Sequence, residues 1–263
     1  MSEAPVLQEL DDDGVLLLTL NRPKKKNAFN DPQWDALRDA LNQARNDERI
    51  AVVVITGAGK DFSAGQDLTA FQGKVEPRED GKPNGYYACM EALFAFDKPL
   101  LAAAKGVGVG IGITFLFACD VVYVGESVRL RLPFVSLGLV PEAASSYLLQ
   151  AAIGRQRAAE LFFTAEWIDA ARAVESGIAA RSFADAELLE ATLAKAREIA
   201  QWPVSSLRAT KQTLMGPNAD RIREALERED KGMAAQAGSP ANIEAVTAFI
   251  EKRKPDFKKL RRG

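Results

Sequence analysis

The chain has 263 residues, 47% hydrophobic and 27% charged, with a formal net charge of −2, values that suit a folded protein with a substantial core and argue against a general nucleic-acid binder. No run approaches the roughly 20 apolar residues of a membrane span, and residues 1–13 are acidic rather than basic-then-apolar, so no membrane partner is expected and the cytoplasm is the expected location. There is no histidine anywhere, which excludes Ser-His-Asp and Cys-His nucleophile systems and imidazole-based zinc sites.

Along the chain, Val15–Leu20 reads as a short strand leaving into the turn Asn21-Arg22-Pro23. Asp31 stands where an N-cap would and Pro32 suits the first helical position; Trp34, Leu37, Leu41 and Ala44 then follow at helical spacing. Residues 51–56 form a β-branched run that reads as a buried strand. Residues 86–96 are helical in pattern, and 99–104 and 121–124 are strand-like. From Ser145 onward the pattern is almost wholly helical, over residues 147–153, 156–163, 185–201 and 222–233, punctuated by Gly154, Gly177, Pro203, Gly216 and Pro240. Alternating strands and helices followed by helices alone predict an α/β core with a helical C-terminal region. Cys89 and Cys119 lack pairing or metal spacing and read as small buried apolar residues. The basic run 252–262 fits either a solvated tail or an anion-binding one.

Two segments could carry chemistry. In Gly106-Val107-Gly108-Val109-Gly110-Ile111-Gly112 the third glycine of a dinucleotide fingerprint falls on Ile111 or Ile113, so that reading fails. Alternate glycines instead let a backbone run close to another part of the chain. A helix beginning near Gly110 would present unpartnered N–H groups to a developing negative charge; tight strand–helix packing explains the same residues. The second segment, Asp61-Phe62-Ser63-Ala64-Gly65-Gln66-Asp67-Leu68, is a small-residue loop after a buried strand, through which a ligand can touch backbone.

Together these segments resemble the crotonase (enoyl-CoA hydratase/isomerase) family. Asn21-Arg22-Pro23-Lys24-Lys25-Lys26-Asn27-Ala28 resembles its first CoA-contacting loop, and residues 62–68 its first oxyanion-hole segment. Residues 105–112, running on to Cys119-Asp120, resemble its second, and Ala248-Phe249-Ile250-Glu251-Lys252-Arg253-Lys254-Pro255 its terminal pattern. The motifs occur in family order across nearly the whole chain. The resemblance implies a stacked ββα spiral core over residues 1–200 and a helical trimerisation region over 201–263, with a homotrimer or pair of trimers as the assembly. It implies an acyl-CoA substrate and no cofactor beyond the CoA that the substrate carries. The backbone N–H groups of Gln66 and Ile111 would form the oxyanion hole, and the Ala64 carbonyl would meet the adenine. Lys24, Lys25, Lys26 and Ala28 would line the CoA path, with Phe249 and Lys252 contributing from a neighbouring subunit. Asp67 and Leu68 count with the substrate-contacting residues, although Asp67 by residue type reads as a cap that orders its loop.

The reaction is narrowed by two absences. The glutamates of the family's hydratase branch fall on Thr114 and Phe134, neither of which can exchange a proton usefully. By contrast Leu139-Val140-Pro141-Glu142-Ala143-Ala144-Ser145-Ser146 is similar to the Leu-x-Pro-Glu-x-x-Ser-Ser stretch of Δ3,Δ2-enoyl-CoA isomerases, whose glutamate is the catalytic base. Without the resemblance, Glu142 reads as a complement to the positive end of the helix it opens. With it, the implied chemistry is a double-bond shift with Glu142 as sole acid/base, in an apolar pocket containing Phe134 that raises its pKa. A hydratase or other lyase with a rearranged acid, and a non-catalytic acyl-CoA-binding scaffold, are the alternatives. From their own patterns, Asp120 is expected to fix the strand after it, and Glu91 to face solvent.

Overall fold

The structure is a computed structural model that describes residues 4–67, 81 and 84–261. Nine strands and ten α-helices lie among those residues. Strands β1 (Val6–Leu10), β2 (Val15–Leu20), β3 (Val52–Gly57), β4 (Leu100–Ala104), β6 (Val121–Gly125) and β9 (Arg181–Phe183) form one sheet, in the order β1-β2-β3-β4-β6-β9. Strands β5 (Val107–Val109), β7 (Arg129–Arg131) and β8 (Trp167–Ile168) form a second, in that order. The β1–β2 and β7–β8 pairs are antiparallel and every other pairing is parallel.

The chain climbs by repeating one step, a strand in the large sheet, extended chain in the small one, then a helix. Strand β2 is followed by Phe29 and then α1 (Asp31–Asn46). Strand β3 leads to Ser63 and Gln66 and then α2 (Gly85–Ala95). Strand β4 leads to β5 and α3 (Ile111–Thr114), and β6 to β7 and then α4 (Ser145–Ile153) and α5 (Arg155–Thr164). Isolated parallel bridges, Phe29 to Gln66 and Ser63 to Gly108, extend the small sheet across the first three steps.

The parallel strands are buried on both faces, which is why β3 and β4 read as continuous apolar runs. Val53, Ile55, Leu100 and Ala102 face the main core with Trp34, Leu37 and Leu41 of α1. Val52, Val54 and Leu101 face a second cluster under α7 (Leu188–Ala200). Strand β1 was not legible as a strand. It lies at the edge of the sheet and only Val6 of it is buried, so it carries no alternating pattern. The α1 cap is shifted by one residue from expectation: Asn30, not Asp31, accepts from the Gln33 N–H, which leaves Pro32 at the second helical position. After α6 (Ala170–Ser176) and α7, the C-terminal stretch is helical, with α8 (Val204–Met215), α9 (Ala219–Gln236) and α10 (Pro240–Ile250). The short strands β8 and β9 interrupt the run that sequence alone reads as nearly all helix. No helix among the described residues is long and apolar enough to cross a membrane.

Candidate active site

The small-residue loop after β3 and the glycine-rich segment after β4 meet backbone to backbone. Ser63 donates its N–H to the Val107 carbonyl (2.9 Å) and accepts from the Val109 N–H (3.0 Å). A Cβ on Gly112 would lie 2.2 Å from the Ser63 carbonyl oxygen, and one on Gly65, whose φ is +92°, would lie 2.5 Å from that of Val109. Both lie inside van der Waals contact, so only glycine allows this approach.

The contact fixes two N–H groups. Phe29 donates to the Gly65 carbonyl and accepts from the Asp67 N–H, both at 2.8 Å. Because the intervening peptides are trans, the Gln66 N–H points the other way. Ile111 is the first residue of α3, so its N–H lacks the carbonyl four residues back that would satisfy it within the helix. The Gln66 side chain is also held: its Oε1 accepts from Trp34 Nε1 at 3.0 Å, and Trp34 stacks on Phe29 with ring centroids 3.9 Å apart.

Beside these groups stands Glu142. A Cβ on Gly110 would be 3.9 Å from Glu142 Oε1, so the carboxyl faces the start of α3 with only a glycine at that position. Glu142 is partly buried. Burial, then the charge of Glu229, raises its pKa from 4.5 to about 7. The turn after it is left-handed at two alanines, with φ of 59° at Ala143 and 56° at Ala144. Ala143 donates its N–H to the Tyr86 hydroxyl oxygen at 2.9 Å.

A model of the family described as enoyl-CoA hydratase/isomerase matches residues 11–260. The chain belongs to this family. It is therefore an enzyme of the crotonase fold acting on CoA esters, and the two-sheet spiral with its C-terminal helices is that fold. Over 246 residues it is 35% identical to a 2,3-dehydroadipyl-CoA hydratase of Escherichia coli strain K12, covering 93% of this chain and 95% of the relative. Over 250 residues it is 31% identical to a 1,2-epoxyphenylacetyl-CoA isomerase of the same organism, at the same coverage. The crystal structure of an enoyl-CoA hydratase/isomerase from Pseudoalteromonas atlantica T6c superimposes with a TM-score of 0.90. It is 36% identical, over 96% of this chain and 99% of that one.

Most of the residues that the crotonase resemblance singles out fall into two groups. Ala28, Ala64, Gln66, Asp67, Ile111 and Glu142 come together with the Lys24–Lys26 turn. Ala64 donates its N–H to the Lys26 carbonyl (2.8 Å), and Asp67 pairs with Arg22 (2.9 Å), which also donates to the Ala28 carbonyl. Asp67 thus orders its loop, as its residue type suggests. Lys24 and Lys25, on a one-turn helix at Pro23–Lys25, and Lys26, the left-handed residue that caps it, are exposed. Phe134 is buried in the main core against Phe162, with centroids 6.4 Å apart.

Phe249 and Lys252 form the second group. They are exposed at the end of α10, and among the described residues no hydrogen bond or ion pair joins them to the Lys24–Lys26 turn. Leu68 lies outside the described residues. At the first hydratase position, Thr114 is fully buried and its hydroxyl has no hydrogen-bond partner among the described residues. Glu91 is exposed, as expected, and it also lines a cleft with Tyr86 and Met90. Asp120 accepts from the Leu100 N–H (2.7 Å) and from Lys211 (2.8 Å), so it fixes the start of β4 rather than the strand after itself.

Several contributors carry no individual signal in the sequence. Asn27 is fully buried; it accepts from the Arg22 N–H (2.9 Å) and donates to the Ala58 and Asp61 carbonyls (3.0 and 2.7 Å), tying the lysine loop to the loop after β3. Tyr86 reads only as part of a helix, and Glu229 as one acid among many on α9. Their partners are remote in sequence, and no spacing rule reaches that far.

Proposed function

We propose that the protein moves the double bond of a 3-enoyl-CoA to give a trans-2-enoyl-CoA. Glu142 removes a proton from C2, and the electron pair of that C–H bond delocalises into the thioester to give a dienolate. The N–H groups of Gln66 and Ile111 stabilise its oxygen, each by about 3–4 kcal/mol relative to a site lacking that donor. The same carboxyl then returns the proton at C4, so one C–H bond breaks, one forms, and no water enters. The observation that carries this reading is the carboxyl of Glu142 beside Gly110, with a pKa of about 7 that allows it both to take and to return a proton near neutrality. CoA would lie along Lys24, Lys25, Lys26 and Ala28, with Ala64 at the adenine and Asp67, Leu68 and Phe134 bordering the substrate. A cleft of about 570 Å³ reaches the site only through Tyr86, which accepts from the Ala143 N–H; its Met90, Phe94, Met215 and Leu226 would give an acyl group an apolar wall, beside charged Arg45, Glu91, Asp97, Lys211, Arg223 and Asp230.

Exposed Trp202, Leu214, Ile243, Phe249 and Ile250 on the C-terminal segment support a homotrimer or a pair of trimers, in which Phe249 and Lys252 would reach a neighbour's CoA. The cytoplasm is the proposed setting.

Hydration is the second reading, favoured by the 35% identity to a hydratase. A trans-3-enoyl-CoA and a trans-2-enoyl-CoA, supplied separately to the protein and to Glu142→Gln, separate the readings. Isomerisation should fall about 10²- to 10⁴-fold in the variant. Hydration that survives the substitution would overturn the proposal, and CoA-ester binding without turnover of either would point to a scaffold.

A further inference from the structure

Glu229 is 5% exposed, on a helix far along the chain from Glu142, yet its carboxylate is spent on the turn that follows Glu142. Its Oε2 accepts from the Ala144 N–H at 2.7 Å and its Oε1 from the Ser146 N–H at 2.8 Å. These two donors flank Ser145, the first residue of α4, and the first belongs to one of the two left-handed alanines. A non-glycine residue in that conformation is strained, because its Cβ crowds the following carbonyl oxygen. The turn therefore needs an outside hold, and α4 has no side-chain cap of its own.

We propose that Glu229 is a positioning residue for Glu142, gripping the turn at Ala144 and Ser146 so that the Glu142 carboxyl stays against the start of α3. Its charge acts on Glu142 as well as its grip: after burial, Glu229 is the second cause of the raised Glu142 pKa. Around the pair, α2 contributes Tyr86 and Tyr87, α4 contributes the Ser146 hydroxyl, and α9 contributes Asp230. Arg221, Glu224 and Arg228 share a pocket with Glu229, and Arg228 pairs with Glu224 at 3.0 Å. The consequence for turnover rests on the reading of Glu142 as the base, whereas the effect on its titration does not.

Two variants separate grip from charge. Glu229→Gln keeps the shape, loses the charge and retains only one acceptor oxygen. Glu229→Asp keeps the charge but is too short to hold both N–H groups. The readouts are kcat and KM on a 3-enoyl-CoA and an infrared titration of the protonated-carboxyl band that Glu142→Gln removes. Both variants should lose about 10- to 100-fold in kcat with KM little changed. Only Glu229→Gln should move the Glu142 midpoint, downward, because a negative neighbour has gone. In Glu142→Gln, which leaves α9 untouched, the Glu229 carboxyl should in turn ionise at lower pH. Variants that melt at lower temperature but keep wild-type kcat and midpoint would overturn the proposal. An uncoupled Glu229 in Glu142→Gln would overturn it even if neither Glu229 variant folded. If no enoyl-CoA turns over but the midpoints move as stated, the positioning stands and the isomerase reading falls.

Discussion

Around Gly65 and Gly112 the candidate site is backbone against backbone, whereas around Glu142 it is a side chain held in place by side chains from distant helices. The first region joins Ser63 and Gly65 to Val107, Val109 and Gly112 through the sheet ladder, and what it demands of the sequence is the absence of a Cβ at a few positions. The second joins α2, α4 and α9, with Ala144 85 positions before the carboxylate it donates to. Donor groups made of main chain are positioned by the fold itself. An acid with a raised pKa has to be held against both the strain of its turn and the cost of burying its charge.

The sharpest way to break this comparison is Gly112→Ala. The new methyl would lie 2.2 Å from the Ser63 carbonyl oxygen, a backbone atom that cannot swing aside. The two loops must part, and the Gln66 and Ile111 N–H groups lose their common aim. We expect kcat to fall about 10²- to 10³-fold, the loss typical of one missing oxyanion donor. Steady-state kinetics on a 3-enoyl-CoA, with calorimetry to confirm folding, gives the answer; unchanged kcat would mean that the backbone contact does not set the donors.

The acid half makes an opposite prediction for stability. Glu142 is raised from 4.5 to about 7, so between those pH values the folded protein binds more protons than the unfolded chain. Stability contributed by this group is fully present below about pH 4.5 and is lost as pH rises through about 7. Glu142→Gln removes that loss and should stabilise the protein above pH 7 by at most roughly 3.5 kcal/mol, since one pH unit corresponds to about 1.4 kcal/mol. The advantage should vanish near pH 4. Thermal unfolding of both proteins across this range is the check. The free wild-type enzyme should show kcat/KM rising with pH to a plateau above about 7, because the base form is needed.

The same contrast explains what could be read in advance. The parallel strands announce themselves because β3 and β4 are apolar on both faces, and the glycines because alternate spacing has few other uses. The lysine loop, the loop after β3 and the Glu142 turn are local strings whose order matches a family. Strand β1 escaped because an edge strand with one buried residue has no periodicity, and β8 and β9 because two or three residues are too short to show one. Glu229 escaped for a different reason. On α9 it sits in the run Glu227-Arg228-Glu229-Asp230-Lys231, where every neighbour suits a solvated face, and only the tertiary contact distinguishes it.

A smaller test returns to the backbone half. Trp34→Phe keeps the stack on Phe29 but removes the Nε1 donor to Gln66 Oε1. A net hydrogen bond contributes about 1 kcal/mol, so stability should fall by about that amount and kcat/KM by less than tenfold. A loss as large as that of Gly112→Ala would mean that the Gln66 side chain, and not only its backbone, sets the oxyanion geometry.

The smallest effect is expected at Thr114, where the comparison meets the choice of reaction. Its hydroxyl is fully buried without a partner among the described residues, at the end of α3, the position that the family resemblance matches to a hydratase acid. A hydroxyl kept for a water-activating role would be costly to remove. One with no such role costs stability by being buried unpaired. Thr114→Val should therefore leave isomerisation within about twofold and raise stability by up to about 1 kcal/mol, a rise of a few degrees in Tm for a chain of this size. If the substitution instead suppresses turnover of a trans-2-enoyl-CoA, Thr114 is orienting water, and the enolate held by Gln66 and Ile111 belongs to a hydration after all.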